Sequence, residues 1–236
     1  MIKIENYSKS YGTKKVIENL NLIVEDGELF GFIGHNGAGK STTIKSMVGI
    51  LDFESGTIEI NGKSIQKEPL EAKKQIAYIP DNPDLYDTMT GIQYLNFIAD
   101  IFEVEKQTRK ERIEKYANEF DIASNLGDSI SSYSHGMKQK LALISALIHE
   151  PKVLILDEPF VGLDPKASHS LKEIMRTICK NGGIIFFSTH VLEVVEKLCD
   201  RVAIIKQGEI VTIGTTEEVM GDKSLEEVFL EMVEHE

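Results

Sequence analysis

Apolar and polar residues alternate along the first part of the chain, in the runs "MIKIENYS" and "IENLNLIV", with turn sequences such as "EDGE" and "NGKS" after them. Alternation of this kind predicts short strands joined by turns. The run "LFGFIG" at residues 29–34 has no polar side chain. It predicts a buried strand, followed by a Gly-rich loop and a helix that begins near Lys40.

The middle of the chain has a helical pattern. From Leu85 to Leu147, apolar residues recur at i, i+3 and i+4, as in "YLNFIADIF" and "RIEKYANEF". Strand-like runs return at "VLILD", "GIIFFST" and "VAIIKQG", with helical segments from Pro165 to Lys180 and from Val191 to Cys199. Strands that alternate with helices predict a mainly parallel sheet covered on both faces, into which the helical middle is inserted. The last stretch, "SLEEVFLEMVEHE", predicts a short amphipathic helix.

Composition and charge restrict the function classes. Of the 236 residues, 42% are hydrophobic and 27% are charged, which is typical of a soluble globular protein. The formal net charge of -12 argues against a general nucleic-acid binder, because neutralising phosphates requires a basic face. No apolar stretch is long enough to cross a bilayer, and the first residues lack the features of a secretory signal. The two cysteines, Cys179 and Cys199, are isolated, as in reduced cytosolic proteins, so we expect a cytoplasmic location.

The segment "GHNGAGKST", residues 34–42, has the pattern G-x-x-x-x-G-K-[ST] between a predicted strand and a predicted helix, and we call it the phosphate loop. Its glycines allow a tight turn that brings backbone N–H groups against phosphate oxygens. The Lys40 ammonium neutralises the β- and γ-phosphates, and the Ser41 hydroxyl can ligate Mg²⁺. A Gly-rich turn with an incidental lysine is the structural alternative. The residues of this loop predicted to bind ATP are Asn36, Gly37, Ala38, Gly39, Lys40, Ser41 and Thr42.

Two carboxylates follow a predicted buried strand in "KVLILDEPFVGLDP". The carboxyl end of such a strand opens toward the phosphate loop, where Asp157 would hold hydrated Mg²⁺ and Glu158 would be the base for the attacking water. Capping of the next turn is the alternative for these carboxylates. His190 follows another strand-like run, and a histidine there can contact the γ-phosphate and orient the water, although most such histidines are structural. The predicted catalytic residues are therefore Glu158, His190 and Lys40.

The stretch "SSYSHGMKQ", residues 131–139, contains a Ser134-His135 pair before an apolar helix. It could hold a nucleophile with its base, a helix cap, or half of a site whose other half lies elsewhere. Adjacent residues seldom point their side chains at each other, and no third orienting group is evident, which argues against hydrolase chemistry. Ser134 is suited to cap the helix that follows.

Taken together, these segments resemble the ATP-binding subunit of ATP-binding-cassette (ABC) transporters along essentially the whole chain. The resemblance is carried, in the family's order, by "SKSYG", "GHNGAGKST", "YSHGMKQK", "VLILDEP", "VGLDP" and "STH". It implies an α/β fold, with a P-loop NTPase core built on a mainly parallel sheet, an N-terminal antiparallel β subdomain and an inserted α-helical subdomain. We expect the core at residues 1–84 and 148–214, the helical subdomain at 85–147 and a short C-terminal helix at 215–236.

The resemblance also implies a head-to-tail dimer that closes around two ATP molecules with Mg²⁺ and opens after hydrolysis. The partner would be a second copy of the chain or a paralogue. Tyr11 is similar to the aromatic residue that stacks on adenine, Asp164 to the aspartate of the loop that links the two sites, and His190 to the switch histidine.

Residues 133–137 match the family's signature loop, usually LSGGQ, and we call them the signature segment. The resemblance implies that Ser134, His135 and Gly136 contact the ATP held by the partner subunit. His135 and Met137 depart from the family pattern, since they replace a glycine and a glutamine. A third departure is Asp81, which stands where the family has a glutamine that helps to position Mg²⁺. A carboxylate can also ligate Mg²⁺, and a residue that merely starts a turn is the alternative.

The function implied is that of an ATPase that powers transport, more similar to the exporter-type bacterial branch. Such a subunit works with separate membrane permease subunits and is peripheral on the inner face of the cell membrane. Residues 81–95 are the candidate surface for the permease, with a plain solvated loop as the alternative, and we expect no nucleic-acid partner. A soluble ABC ATPase acting on DNA or the translation machinery is the alternative function, but such proteins usually carry two cassettes, a long coiled-coil insertion or zinc-binding cysteines.

Overall fold

The computed structural model describes residues 1–234, and the side chains of residues 1–232. The strands are β1 (Ile2–Tyr11), β2 (Lys14–Val24), β3 (Leu29–Ile33), β4 (Ser55–Ile60), β5 (Lys63–Ser64), β6 (Ile76–Ile79), β7 (Val153–Asp157), β8 (Ile184–Thr189), β9 (Arg201–Lys206) and β10 (Glu209–Thr215). Within the described residues they form a four-stranded sheet of order β2-β1-β4-β5 and a six-stranded sheet of order β10-β9-β3-β8-β7-β6.

The two sheets differ in strand direction. The four-stranded sheet is antiparallel. In the six-stranded sheet, β6, β7, β8, β3 and β9 are parallel, and β10 returns antiparallel to β9. Every residue of β3, β7 and β8 is buried, as expected for parallel strands covered on both faces. The predicted fold class, with an antiparallel N-terminal sheet and a mainly parallel core, is confirmed.

The helices of the described residues are α1 (Lys40–Met47), α2 (Pro69–Lys73), α3 (Gly91–Ile101), α4 (Lys106–Glu119), α5 (His135–Leu147), α6 (Pro165–Lys180), α7 (Leu192–Leu198), α8 (Thr216–Met220) and α9 (Leu225–Glu234). The helical insertion predicted between β6 and β7 consists of α3, α4 and α5. The subdomain boundaries at residues 84, 147 and 214 stay a prediction.

A separate apolar core lies on each face of the six-stranded sheet. The core on one face is shared with α1 and the four-stranded sheet, and the core on the other is shared with the helical insertion, α6, α7 and α9. Successive residues of a strand point to opposite faces, so Phe186 of β8 contributes to the first core and Phe187 to the second.

The amphipathic helix predicted in "SLEEVFLEMVEHE" corresponds to α9. The C-terminal segment expected at residues 215–236 also contains α8, which ends at Gly221, a residue with positive φ (55°). A capping box then starts α9: Ser224 N donates to the Glu227 carboxylate (2.8 Å), and Glu227 N donates to Ser224 Oγ (3.3 Å). Residues 235–236 of the predicted helix lie outside the described residues.

Candidate functional site

The phosphate loop connects β3 to α1 in a conformation that requires its glycines. Gly39 has φ 113°, and a Cβ placed there would lie 2.4 Å from Ile17 Cδ1. A Cβ at Gly34 would lie 2.5 Å from the carbonyl oxygen of Ile205. The positive φ of Gly39 and the backbone contact at Gly34 leave no room for larger residues, so the tight turn depends on these glycines.

Lys40, the first residue of α1, is held inside this loop. Its side chain is only 6% exposed in the whole protein, and Nζ donates to the carbonyl oxygens of Gly34 (2.7 Å) and His35 (3.3 Å). Burial lowers the pKa of Lys40, and the nearby carboxylates of Glu158 and Asp157 oppose this shift. A phosphate oxygen could take the place of these carbonyls, since a carbonyl bears only a partial negative charge.

An open cavity of about 340 Å³ lies above the phosphate loop. The residues that line it are Tyr11, Val16, Asn36, Gly37, Gly39, Lys40, Ser41, Thr42, Asp81, Asp157 and Glu158. It therefore brings together Tyr11 and Asp81, which lie far apart in the sequence, with the carboxylate pair. Ala38 does not line it and is buried. Tyr11 is 50% exposed, and Lys9 Nζ lies 5.5 Å from the centroid of its ring. The exposed part of the ring can accept a planar ligand.

The two carboxylates have different surroundings. Asp157, the last residue of β7, is 4% exposed and accepts a hydrogen bond from the Ser188 hydroxyl on β8. Glu158 takes a left-handed backbone (φ 50°) and accepts a hydrogen bond from Thr189 Oγ1 (2.9 Å). Its other carboxylate oxygen lies 2.9 Å from His190 Nδ1. The structure thus brings Glu158 and His190 together at the mouth of the cavity.

Ser188 and Thr189 are site residues that sequence reasoning missed. Each hydroxyl is bonded to one of the two carboxylates and restricts its orientation. Their signal was present, because "ST" directly precedes His190 at the end of β8. In the sheet, β8 pairs with β7 so that Ser188 lies opposite Asp157, and that register cannot be read from either strand alone.

The donor set of the cavity fits a hard divalent cation. The Ser41 hydroxyl and the carboxylates of Asp81 and Asp157 are oxygen ligands of the kind that Mg²⁺ prefers. Among the described residues no three His, Cys, Asp or Glu side chains cluster closely enough to hold a metal ion.

The signature segment lies outside this cavity in the single chain: none of Ser134, His135 and Gly136 is among the described residues that line it. Ser134 is exposed and caps α5, since its hydroxyl accepts from Met137 N (3.3 Å). The His135 ring lies against Gly162, where an added Cβ would be 2.6 Å from His135 Cδ2. Ser134 and His135 thus have different partners, which does not fit a nucleophile with its base.

Asp164 lies in the loop that follows the carboxylate pair and contacts α5, the helix that begins in the signature segment. It caps α6 by accepting from Ala167 N (2.9 Å), and it forms an ion pair with Lys140 Nζ of α5 (2.6 Å). The hydrogen bond from Lys140 and that from the Ala167 amide lower the pKa of Asp164. Together with the contact between His135 and Gly162, this pair makes the signature segment and the Asp164 loop one continuous surface.

A comparison with protein families decides the identity of this site. The model of the family described as "ABC transporter" matches residues 17–161, which include the phosphate loop, the signature segment and the carboxylate pair. The chain belongs to the ABC transporter family. This ABC protein is an ATPase, and ATP is the ligand of its family.

Similar proteins extend the family assignment over the whole chain. The ABC-type transporter ATP-binding protein EcsA of Bacillus subtilis is 34% identical over 241 residues, covering 100% of this chain and 98% of EcsA. The linearmycin resistance ATP-binding protein LnrL of Bacillus subtilis is 36% identical over 215 residues, covering 91% of this chain and 69% of LnrL. A solved structure described as the ATP binding subunit of an ABC transporter has a TM-score of 0.94 at 34% identity, covering 98% and 99% of the two chains.

Within residues 1–234, no helix of this ABC ATPase combines enough length with enough apolar character to cross a bilayer.

Proposed function

We propose that this chain is the ATP-hydrolysing subunit of an ABC transporter and that two copies close around two ATP molecules. One observation carries the proposal. The phosphate loop and the carboxylate pair share one cavity, whereas the signature segment is exposed elsewhere and does not line it. A site built from both therefore needs a second molecule. Because this chain carries both halves, a symmetric pair of copies completes two sites at once.

The residues of the cavity have distinct roles in this proposal. Tyr11 stacks on adenine, and the backbone N–H groups of residues 36–42 surround the phosphates. Lys40 leaves the carbonyls of Gly34 and His35 to bind the β- and γ-phosphates. Glu158 accepts the proton of the attacking water, and His190, bonded to Glu158, orients that carboxylate and donates to the γ-phosphate.

Mg²⁺ is the cofactor that the oxygen donors of this cavity favour. Ser41 would ligate it directly, and Asp157 and Asp81 would do so directly or through water. When bound, the ion neutralises charge that develops on the phosphates. The hydroxyl of Ser188 keeps the Asp157 carboxylate in the orientation that this role requires.

In the dimer, Ser134 and Gly136 would bind the γ-phosphate held by the partner through a hydroxyl, an amide and the N-terminus of α5. The ion pair between Lys140 and Asp164 would keep α5 in register with the loop that reaches across the interface. His135 fills the space over Gly162, so a side chain larger than the family's glycine is accommodated within its own subunit.

Exchange of Ser134 for arginine tests the divided site. Ser134→Arg should bind ATP with unchanged affinity in a direct titration of the isolated chain, because the phosphate loop is intact. ATP hydrolysis should fall by at least about 100-fold, the cost of losing a group that stabilises developing charge. Ser124→Arg, at another exposed serine of the helical insertion, is the matched control and should hydrolyse ATP normally. Loss of ATP binding by Ser134→Arg would show that the residue belongs to its own subunit's site.

We also propose that separate membrane permease subunits hold this chain at the inner face of the cell membrane and that transport is directed outward. The segment 81–95 contains Tyr86, whose ring meets the ring of Phe97 edge to face at 5.6 Å. Both side chains are exposed and form an aromatic cluster at the surface. A cluster of this kind suits a short helix of a partner. The name of LnrL, a linearmycin resistance protein, supports export. Co-purification from membranes with a multi-span protein is the expected result, and recovery with ribosomes or DNA instead would contradict it.

A further inference from the structure

Helix α9 has no part in the proposed function, yet it is firmly attached to the molecule. Leu225, Val228 and Phe229 are buried on one side of the helix, which packs against α7 and α8. The backbone N–H of Leu225 donates to the Glu196 carboxylate of α7 (3.2 Å). A ten-residue helix would not be stable alone, so these contacts determine its position.

One contact of α9 is with the phosphate loop. The ring of Phe229 lies 4.9 Å from the ring of His35, with an angle of 65° between the planes, which is a favourable edge-to-face geometry. Phe229 is 8% exposed, whereas His35 is otherwise exposed at the surface. The aromatic contact therefore restricts a loop side chain that would otherwise be free to move.

The backbone of His35 contacts the group that binds phosphate. Its carbonyl oxygen accepts from Lys40 Nζ (3.3 Å) and from Ala38 N (3.1 Å). A continuous path of contacts thus runs from Phe229, through the His35 ring and peptide, to Lys40. At its N-terminal end α9 is bonded to α7, which begins just after His190, so α9 contacts both the phosphate loop and α7.

We infer that Phe229 is a positioning residue for nucleotide binding: its ring holds His35, and through it the first half of the phosphate loop, in the conformation that receives the phosphates. The inference rests on the proposed function, because it assumes that this loop binds ATP. Without the ring, residues 35–38 sample more conformations, and nucleotide binding has to order them at a cost in affinity. The chemical step depends on Glu158 and is not altered. Loss of the ring therefore raises KM and leaves kcat nearly unchanged.

The test compares Phe229→Ala with Phe229→Tyr and with Leu230→Ala, a matched control at a 40% exposed position of the same helix. In ATPase assays of the full chain, Phe229→Ala should raise KM by about two- to tenfold, the range that one aromatic pair supports. Its kcat should stay within about twofold of wild type. Phe229→Tyr keeps the ring and should restore KM, and Leu230→Ala should not change it. If Phe229→Ala fails to fold, Phe229→Leu removes the ring while keeping an apolar side chain.

A double-mutant cycle separates positioning from general stabilisation. In a His35→Ala background, Phe229→Ala should cause no further rise in KM, because the contact is already lost. An unchanged KM in Phe229→Ala, or effects of the two substitutions that multiply independently, would overturn the inference. Lys40→Ala reports on the proposed function itself. If that variant kept wild-type KM and kcat, the phosphate loop would not be the ATP site, whatever the result at Phe229.

Discussion

The backbone and the carboxylate of Glu158 are both restrained by their surroundings. Its backbone is left-handed, a conformation that costs a non-glycine residue roughly 1 kcal/mol and that recurs at functional sites. Its carboxylate is bonded to Thr189 and lies against His190. A carboxylate that is oriented before substrate binds is suited to take a proton from water, because no reorganisation is needed during the reaction.

Exchange of Glu158 for glutamine should separate binding from chemistry. Glu158→Gln keeps the size and shape of the side chain, replaces one acceptor oxygen by an NH₂ donor and removes the basicity. We expect unchanged ATP affinity and a loss of hydrolysis of about 10²- to 10⁴-fold, the usual contribution of a general base. Glu103→Gln is the matched control, since Glu103 is also left-handed but exposed outside the cavity. Near-normal turnover by Glu158→Gln would exclude this residue as the base.

The departure at Asp81 can be tested through the magnesium requirement. Asp81 lines the cavity beside Asp157 and Ser41. If it helps to hold the ion, Asp81→Asn should raise the Mg²⁺ concentration for half-maximal ATPase activity by about tenfold, as is typical when a supporting ligand is lost. Asp84→Asn changes an exposed aspartate of the same segment that does not line the cavity and should have no effect. An unchanged Mg²⁺ requirement in Asp81→Asn would mean that Asp81 does not hold the ion and only starts a turn.

At the scale of elements, the connection from α5 to β7 contains a group that titrates far from its usual range. The ring of His149 stacks on Phe102, with centroids 3.6 Å apart and planes 7° from parallel. Burial lowers the pKa of His149 from 6.5 to about 4, with a backbone interaction at Ile76 opposing the shift in part. Protonation of the His149 ring is therefore unfavourable while the ring is buried against Phe102.

The sign of the pH effect follows from linkage. The unfolded chain takes up a proton at His149 near pH 6.5, whereas the folded chain takes it up only near pH 4. The contribution of His149 to the free energy of unfolding is therefore fully present above pH 6.5 and decreases as the pH falls toward 4. Below pH 4 this one group has lowered the free energy of unfolding by about 3 kcal/mol. His149→Gln should show a flatter fall of the unfolding free energy between pH 6.5 and 4.5 in urea titrations, with parallel curves from pH 7 to 8. Equal slopes for both proteins in the acid range would contradict the buried neutral ring.

The elements that sequence reasoning predicted correctly have strong local signals. The phosphate loop lies between an apolar strand and a helix, and "VLILD" is buried throughout its length because both faces of the sheet are covered. The helix in "SLEEVFLEMVEHE" was predicted and corresponds to α9. Its separation from α8 was not, although Gly221 and the pairing of Ser224 with Glu227 are local signals of a helix end and a new start. Attention to those caps would have located the break.

Other contacts could not be predicted because they join distant parts of the chain. The packing of His135 on Gly162, and that of Phe229 on His35, depends on how loops and helices are arranged in space. Hydrophobic periodicity indicates which face of a helix is buried, but it does not identify the residue on the other side of the contact. The same limit applies to Ser188, whose partner Asp157 is determined by strand register.

At the scale of the whole molecule, the net charge of -12 opposes an anionic ligand only weakly. Fields from distant surface charges are screened within about 8 Å at physiological salt. Inside the cavity, Lys40, the loop amides and the start of α1 act at short range. The placement of the signature segment outside that cavity has the larger consequence for the proposed function, because in that proposal only a second copy completes the site.

Subunit mixing tests this requirement most directly. Lys40→Ala damages the phosphate-loop half of the site and Ser134→Arg damages the signature half, so each variant alone should be inactive. In a mixed dimer one of the two sites combines intact halves, and random assortment of an equimolar mixture should restore about one quarter of wild-type ATPase activity. Lys40→Ala mixed with Glu158→Gln is the control and should stay inactive, because both lesions lie in the same half. If Lys40→Ala and Ser134→Arg also stayed inactive when mixed, the ATP site would not be shared between two copies of this chain.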